Sequence, residues 1–510
     1  MTALNKFLAN CQEIAELSVD INNKLINSFT SAQEQTGSNN IWQSYANSIN
    51  SLFTQPQYLM QSQLEYSNKM WQLLQHQSLR FMGEDLPPMV KPAVIDYRFR
   101  SSAWDNNFYF DLVKQSYLLT RDYWLKMLQH LPDQSVKQMN QSTIAAKLMF
   151  DALSPTNVSF TNPDVMQSVF NDNADSLKNG LQRLSGDLDK FNNLLAIPNT
   201  NKQAFKVGEN LAITPGSVVF RNDIMELIAY EPKKKCYEIP LLICPPWINK
   251  YYIFDLQQKN SMIKWLVDQG FQVLMISWRN AKKEHGEWCF TDYLKHGVFS
   301  AINFCQNQLD YKNVNLAGYC IGGTISSMAL AYLNAKNNKA VNSATLMATL
   351  LDFTEAGEIG NYIDQEYYNQ LQDKLDKDGY LDGGSMQIFF NLLRSNDLLW
   401  SHLVKQYLLN QDLKPFDLLF WSADNTRLPA KMHQYYLKNM YLENNLFKGK
   451  LKFDGINIDL SQIKTPILAM AAIADHIVPW QSAYNSVQKL PNCEFILSES
   501  GHVAGVMNHP

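Results

Sequence analysis

The hexapeptide Gly318-Tyr319-Cys320-Ile321-Gly322-Gly323 constrains this chain more than any other segment. It lies between Val314–Ala317, which reads as a strand, and Gly323–Asn334, which reads as a helix. A strand running straight into a helix through G-x-C-x-G is the setting of a nucleophile elbow. The turn is too tight for side chains at its flanking positions, and it forces the central residue into a strained conformation. Cys320 would then stand at a helix N-terminus, where the dipole favours a thiolate. The backbone N–H of Ile321 would point at an oxyanion formed beside it. The plainer alternative is a buried cysteine in a glycine turn.

The surrounding pattern fits that reading. Residues 1–195 show apolar residues at helical spacing, clearest over Ala103–Leu131, Gln138–Leu153 and Asp164–Leu195. From about residue 213 the period changes. Ser217–Phe220, Met225–Tyr230, Tyr237–Ile243, Phe271–Ser277 and Ser343–Leu350 read as strands, and Ser261–Gly270 and Thr291–Leu309 as helices. Strands alternating with helices predict a parallel sheet with right-handed crossovers, hence an α/β domain over 196–510. Aromatic-rich helical sequence interrupts the alternation over about 351–447, the place for a lid, before strands return at Ile467–Ala472 and Glu494–Leu497.

An elbow nucleophile needs an acid and then a histidine further along the chain. Asp475 follows the strand Ile467–Ala472, and His502 follows the strand Glu494–Leu497. These two are the expected acid and base, and His476, beside Asp475, is expected to pack or to support them. The second oxyanion donor should come from the loop after Leu241–Ile243. Pro245 and Pro246 have no N–H to give, which favours the N–H of Trp247 or Ile248. Trp247, Asn249 and Tyr251 are expected to line the substrate pocket.

Composition narrows the classes. With 46% hydrophobic and 18% charged residues the chain is globular, and a net charge of −4 without a long basic run argues against nucleic acid. The N-terminus lacks a signal peptide's layout, and no run approaches the ~20 apolar residues of a membrane span. A cytoplasmic protein is expected, with its seven cysteines reduced. No cysteine–histidine cluster has zinc spacing, so neither metal nor cofactor is expected.

Several longer motifs, in order, resemble a class I polyhydroxyalkanoate synthase. They include Pro245–Leu256 (PPWINKYYIFDL), Met275–Asn280 (MISWRN), Leu393–Leu398 (LRSNDL), Pro415–Arg427 (PFDLLFWSADNTR) and Gly501–Asn508 (GHVAGVMN). The resemblance runs from about residue 90 to the end. It implies an α/β-hydrolase fold with a helical lid insertion, preceded by an all-helical N-terminal domain that binds a granule or a partner. It also implies polymerisation of (3R)-hydroxyacyl-CoA, such as 3-hydroxybutyryl-CoA, with release of CoA. Cys320, Asp475 and His502 would be the catalytic triad, and Trp421 a lid tryptophan near a homodimer contact. The enzyme would work at the surface of its own polyester granule. Arg394 is a candidate for the phosphates of CoA, against an internal salt bridge. Two other readings stay open: a cysteine hydrolase of the dienelactone-hydrolase kind, and an inactive granule-binding or dimer-partner subunit. The family pattern usually continues some tens of residues past the histidine, whereas this sequence stops at Pro510.

Overall fold

Where the sequence changes period, the architecture changes with it. The computed structural model describes residues 3–36, 39–94, 96–191, 193–233, 235–507. It divides into two compact units. One comprises 1–199 together with Ile388–Lys414, and the other comprises Thr200–Gln387 with Pro415–Pro510. Thus Ile388–Lys414, read from sequence as part of the insertion, groups with the helical unit.

Seven longer helices build the first unit: α1 (Ala3–Thr36), α2 (Asn39–Phe53), α3 (Pro56–Phe81), α4 (Phe108–Gln129), α5 (Val136–Ala152), α6 (Pro163–Asn171) and α7 (Asp175–Phe191). Helix α2 packs on α5, α1 on α7, and α3 on α4. The segment read as one helix over Ala103–Leu131 is broken at Asn107, whose side chain caps α4 by accepting the N–H groups of Tyr109 and Phe110. Likewise Asp164–Leu195 is two helices. Asn173 and Ala174 between them take positive φ values of 56° and 66°, which no α-helix can continue through. Ser395 and Asn396 hydrogen-bond the Asp151 carboxylate at 2.7 Å each, tying Ile388–Lys414 into this unit. No helix among the described residues is long and apolar enough to cross a membrane.

The second unit is built on an eight-stranded sheet: β1 (Gly216–Arg221), β2 (Met225–Tyr230), β3 (Leu241–Cys244), β4 (Val273–Trp278), β5 (Val314–Tyr319), β6 (Val341–Met347), β7 (Ile467–Ala472) and β8 (Cys493–Ser498). Their spatial order is β1-β2-β4-β3-β5-β6-β7-β8. From β4 to β8 every neighbouring pair is parallel, while β1 and β2 run antiparallel at one end. The inner parallel strands β3, β4, β5 and β7 are largely covered on both faces and read as nearly unbroken apolar runs, whereas the edge strand β8 leaves Ile496 and Leu497 exposed. In β3 and β4, Leu242, Cys244, Leu274 and Ile276 enter one core cluster, while Ile243, Val273 and Met275 enter the cluster on the opposite face. Helix α8 (Met262–Asp268) packs with the second face, and α9 (Ile321–Ala335) with the first. The strand read over Tyr237–Ile243 begins only at Leu241, because Pro240 just before it has no N–H for the ladder. The helix read over Thr291–Leu309 carries a π-helical turn at Tyr293–Phe299. Strands β3, β5, β6, β7 and β8 all point their C-terminal ends the same way, so the loops after them share one rim of the sheet. That rim carries the candidate site.

Candidate active site

Cys320 follows the last residue of β5 and precedes the first of α9, and its φ of 54° and ψ of −124° lie outside the regions open to most side chains. The surrounding backbone holds it there: its N–H donates to the Met347 carbonyl at 2.9 Å. The flanking glycines are required by close approach. A Cβ at Gly318 would fall 2.5 Å from the Gly323 Cα, and one at Gly322 only 2.2 Å from the Cys244 oxygen. The thiol is half-buried, while the other cysteine of this rim, Cys244, is buried outright and its thiol is pushed up to about 12 by that burial.

Asp475 sits in the turn just past β7, with its side chain fully buried. One carboxylate oxygen accepts the N–H groups of Ile477 and Val478 at 2.9 and 2.8 Å. The other lies 2.7 Å from Nδ1 of His502, so the acid holds the imidazole of His502. Burial works against charge on the His502 imidazole, but the Asp475 carboxylate and the Cys320 sulfur, with hydrogen bonds to both, outweigh it and raise the group to about 10. The structure therefore brings Cys320, His502 and Asp475 into one hydrogen-bonded line from segments 27 to 182 positions apart.

The loop after β3 lies against the start of α9, because the missing side chain of Gly322 lets Cys244 and Pro245 approach it. As the first residue of α9, Ile321 has no partner for its N–H within the helix. Ile248 is half-buried in the same loop. Its neighbours are committed elsewhere: the Asn249 N–H donates to Thr426 Oγ1 at 3.0 Å, and Thr426 in turn donates to the Trp247 carbonyl at 2.8 Å. The Asn249 side chain donates to the Ser422 carbonyl at 3.3 Å. The Trp247 ring is 3% exposed and packs edge-on to Trp278 and Phe290. Trp247 and Asn249 are both buried in this loop. Tyr251 is half-buried, with its ring 6.1 Å from that of Tyr252.

Sequence reasoning missed the aromatic side of the site. The hydroxyls of Tyr436 and Tyr441 are hydrogen-bonded to each other, and both phenols are held well above their ordinary range, by burial first and in part by the nearby Cys320 sulfur. Phe353 packs edge-on against both rings. The only signal was the aromatic richness of the insertion. Among the described residues no group of three or more His, Cys, Asp or Glu could hold a metal ion.

Two family profiles match this chain. One, described as the N-terminus of poly-beta-hydroxybutyrate polymerase (PhaC), matches residues 95–266, and the other, the alpha/beta hydrolase fold, matches residues 239–506. A poly(3-hydroxyalkanoate) polymerase of Methylorubrum extorquens is 36% identical over 457 residues, covering 89% of this chain and 76% of the relative. The chain belongs to the poly(3-hydroxyalkanoate) polymerase family. The PhaC subunit of Rhizobium etli is 38% identical, with 84% of this chain and 68% of the relative covered. For that of Cupriavidus necator the values are 37%, 81% and 71%.

Other residues singled out by the polymerase resemblance have structural partners. Trp421 is 8% exposed, and its ring N–H donates to the Lys250 carbonyl at 2.7 Å, locking the loop after β3 to the 417–426 segment. Lys250 reinforces this through Asp424 at 2.6 Å. Arg394, considered for CoA phosphates, pairs with Asp397 three residues on.

Proposed function

We propose that this chain polymerises (3R)-hydroxyacyl-CoA, with 3-hydroxybutyryl-CoA as the expected monomer, into a polyester with release of CoA, through an acyl-enzyme on Cys320. The observation that carries this reading is the line Cys320–His502–Asp475 at a strained elbow. The names of the relatives, poly(3-hydroxyalkanoate) polymerases, supply the substrate class.

His502 takes the Cys320 proton, and the thiolate attacks the thioester carbonyl. The developing oxyanion is met by the N–H groups of Ile321 and Ile248. The C–S bond to CoA breaks, and His502 returns the proton to the departing thiolate. Exchange of one thioester for another is nearly isoenergetic, which suits a thiol better than a hydroxyl. The 3-hydroxyl of the next monomer then gives its proton to His502 and attacks the acyl group on Cys320. An ester forms and the Cys320 thiolate leaves, ready to attack the new thioester and expel its CoA. Asp475 orients His502 throughout, since both of its oxygens are already engaged. Each cycle consumes one monomer, releases one CoA and needs no water.

The product is apolar, so it should collect as a granule in the cytoplasm with the enzyme, as a homodimer, at its surface. The exposed Met60, Leu64, Trp71, Phe81 and Met82 on and just beyond α3 support contact between the helical unit and such a surface.

The test mixes the purified chain with (3R)-hydroxybutyryl-CoA and follows free CoA and turbidity together, beside Cys320→Ala. CoA release with turbidity, absent in the variant, is the expected result. Release without turbidity would mean that water is the acceptor and the protein a hydrolase. No release from folded protein would favour a subunit that binds granule or partner without turnover.

A further inference from the structure

Asp475 fixes the imidazole of His502, but something else must fix the main chain that carries it. Among the described residues the segment after β8 holds no helix or strand, and its bonds include Gly505 N–H to the Gly501 carbonyl at 2.7 Å, the Ala474 N–H to the Ser500 carbonyl at 2.9 Å and the Ser498 hydroxyl to the Gly505 carbonyl at 2.8 Å. Val503, Val506 and Met507 fasten it to the core cluster that contains Phe254, Trp421 and Tyr319. These apolar contacts are not directional. At the main chain of His502 itself the Tyr319 hydroxyl supplies a directional tie, donating to the His502 carbonyl at 3.2 Å. The two rings also lie 5.3 Å apart, tilted by 32°, and the far side of Tyr319 is held edge-on by Phe254 at 5.8 Å.

Tyr319 is the residue immediately before Cys320. From this geometry we infer that Tyr319 is a positioning residue that sets the separation of Cys320 and His502, by anchoring the base's main chain to the strand end that carries the nucleophile. The inference rests on the reading of Cys320 and His502 as nucleophile and base. A tyrosine is suited to this role because its ring spans from strand to loop while its hydroxyl offers a single aimed donor. Tyr319 is 1% exposed, and burial first, then the negative charges of Cys320 and Asp475, hold its phenol far above the ordinary range. It therefore stays a donor at every pH at which the enzyme could work.

The experiment measures alkylation of Cys320 by iodoacetamide as a function of pH, read on the Cys320 peptide by mass spectrometry, in the wild type and in Tyr319→Phe. Alkylation reports thiolate formation without substrate or polymer. It therefore separates this inference from the polymerase reading, which can fail in the CoA assay while the alkylation result stands. The phenylalanine keeps the ring and deletes only the hydrogen bond. The expected result is a rate at neutral pH lower by about three- to tenfold, the loss that one neutral hydrogen bond gives. The pH midpoint should move up, because a slackened His502 pairs less well with the thiolate. In the CoA assay kcat should fall with KM unchanged. An unchanged rate and midpoint would overturn the inference, as would a lower melting temperature with no movement of the midpoint. If Tyr319→Phe does not fold, 3-fluorotyrosine at 319 keeps the ring and alters donor strength alone. A shifted midpoint then supports the role and an unshifted one overturns it.

Discussion

His502 Nδ1 and Asp475 Oδ2 lie 2.7 Å apart, while the other Asp475 oxygen is occupied by the N–H groups of Ile477 and Val478. That second pair of bonds makes Asp475→Asn informative. The two N–H groups will hold the amide's carbonyl oxygen on their own side and turn its NH2 toward Nδ1. A donor there forces the tautomer that carries its proton on Nε2, where it cannot accept from Cys320. CoA release from the variant should fall by about 10²–10⁴-fold with an unchanged circular dichroism spectrum. Near-wild-type release would show that the carboxylate does not orient the base.

His502 also ties stability to pH. Its folded value of about 10 lies above the ordinary 6.5, because Asp475 and Cys320 outweigh the opposing burial. A raised value means that the folded state binds the proton more tightly than the unfolded chain does. The contribution is therefore present in full below pH 6.5 and is lost as pH rises through about 10. Melting temperatures of wild type and His502→Gln should differ most near pH 6 and converge toward pH 10. A gap that stays constant across this window would contradict the coupling.

The elbow was legible because its constraints are local: glycines at 318 and 322 answer to clashes within a few residues or with the adjoining strand end. Strands Met225–Tyr230 and Ile467–Ala472 could be bounded to the residue, since composition changes abruptly at their ends. The expectation for Asp475 and His502 rested on chain order and on their places just past strands, and the two side chains meet at 2.7 Å. The break at Asn173-Ala174 was hidden, because alanine gives no sign of a positive φ. The burial of Trp247 and Asn249 was hidden too, since it is decided by Thr426, some 177 positions away. Tyr436 and Tyr441 stand five apart, a spacing that an α-helix sends to different faces. A π-helical turn at Leu437–Leu442 brings i and i+5 together, and no spacing rule for ordinary helices would find that pair.

Thr426 is the hinge pin of the loop after β3. Its hydroxyl accepts the Asn249 N–H and donates to the Trp247 carbonyl, and all three residues are buried. Valine has nearly the same shape but leaves both backbone groups without a partner and out of reach of water. Thr426→Val should cost about 1–3 kcal/mol for each buried group left unsatisfied. The check is the midpoint of denaturant unfolding, expected to fall without a change in slope. CoA release should fall as well, since Ile248 lies between the two tethered residues. An unaltered midpoint would show that the loop is held by Trp421 and Lys250 alone.

The helical unit carries a buried charge network whose cost can be separated from its attraction. Lys114 and Asp111 are 2% and 1% exposed and pair at 2.9 Å. Asp105 also reaches Lys114, and Arg80, Gln77 and Gln115 reach Asp111. Removing one charge strands the others in a low-dielectric interior, so Lys114→Met should destabilise the protein by about 3–5 kcal/mol. Replacing both members with apolar groups removes the desolvation cost along with the attraction. The double variant Lys114→Met/Asp111→Leu should therefore lose less than the two single losses added together, with a coupling of about 1–3 kcal/mol. Arg80 and Asp105 limit the recovery, because each keeps its charge and loses a buried partner, though Asp105 can turn to solvent. Unfolding midpoints of the four proteins in the cycle decide the matter: strictly additive losses would mean that Lys114 and Asp111 stabilise the unit through separate partners.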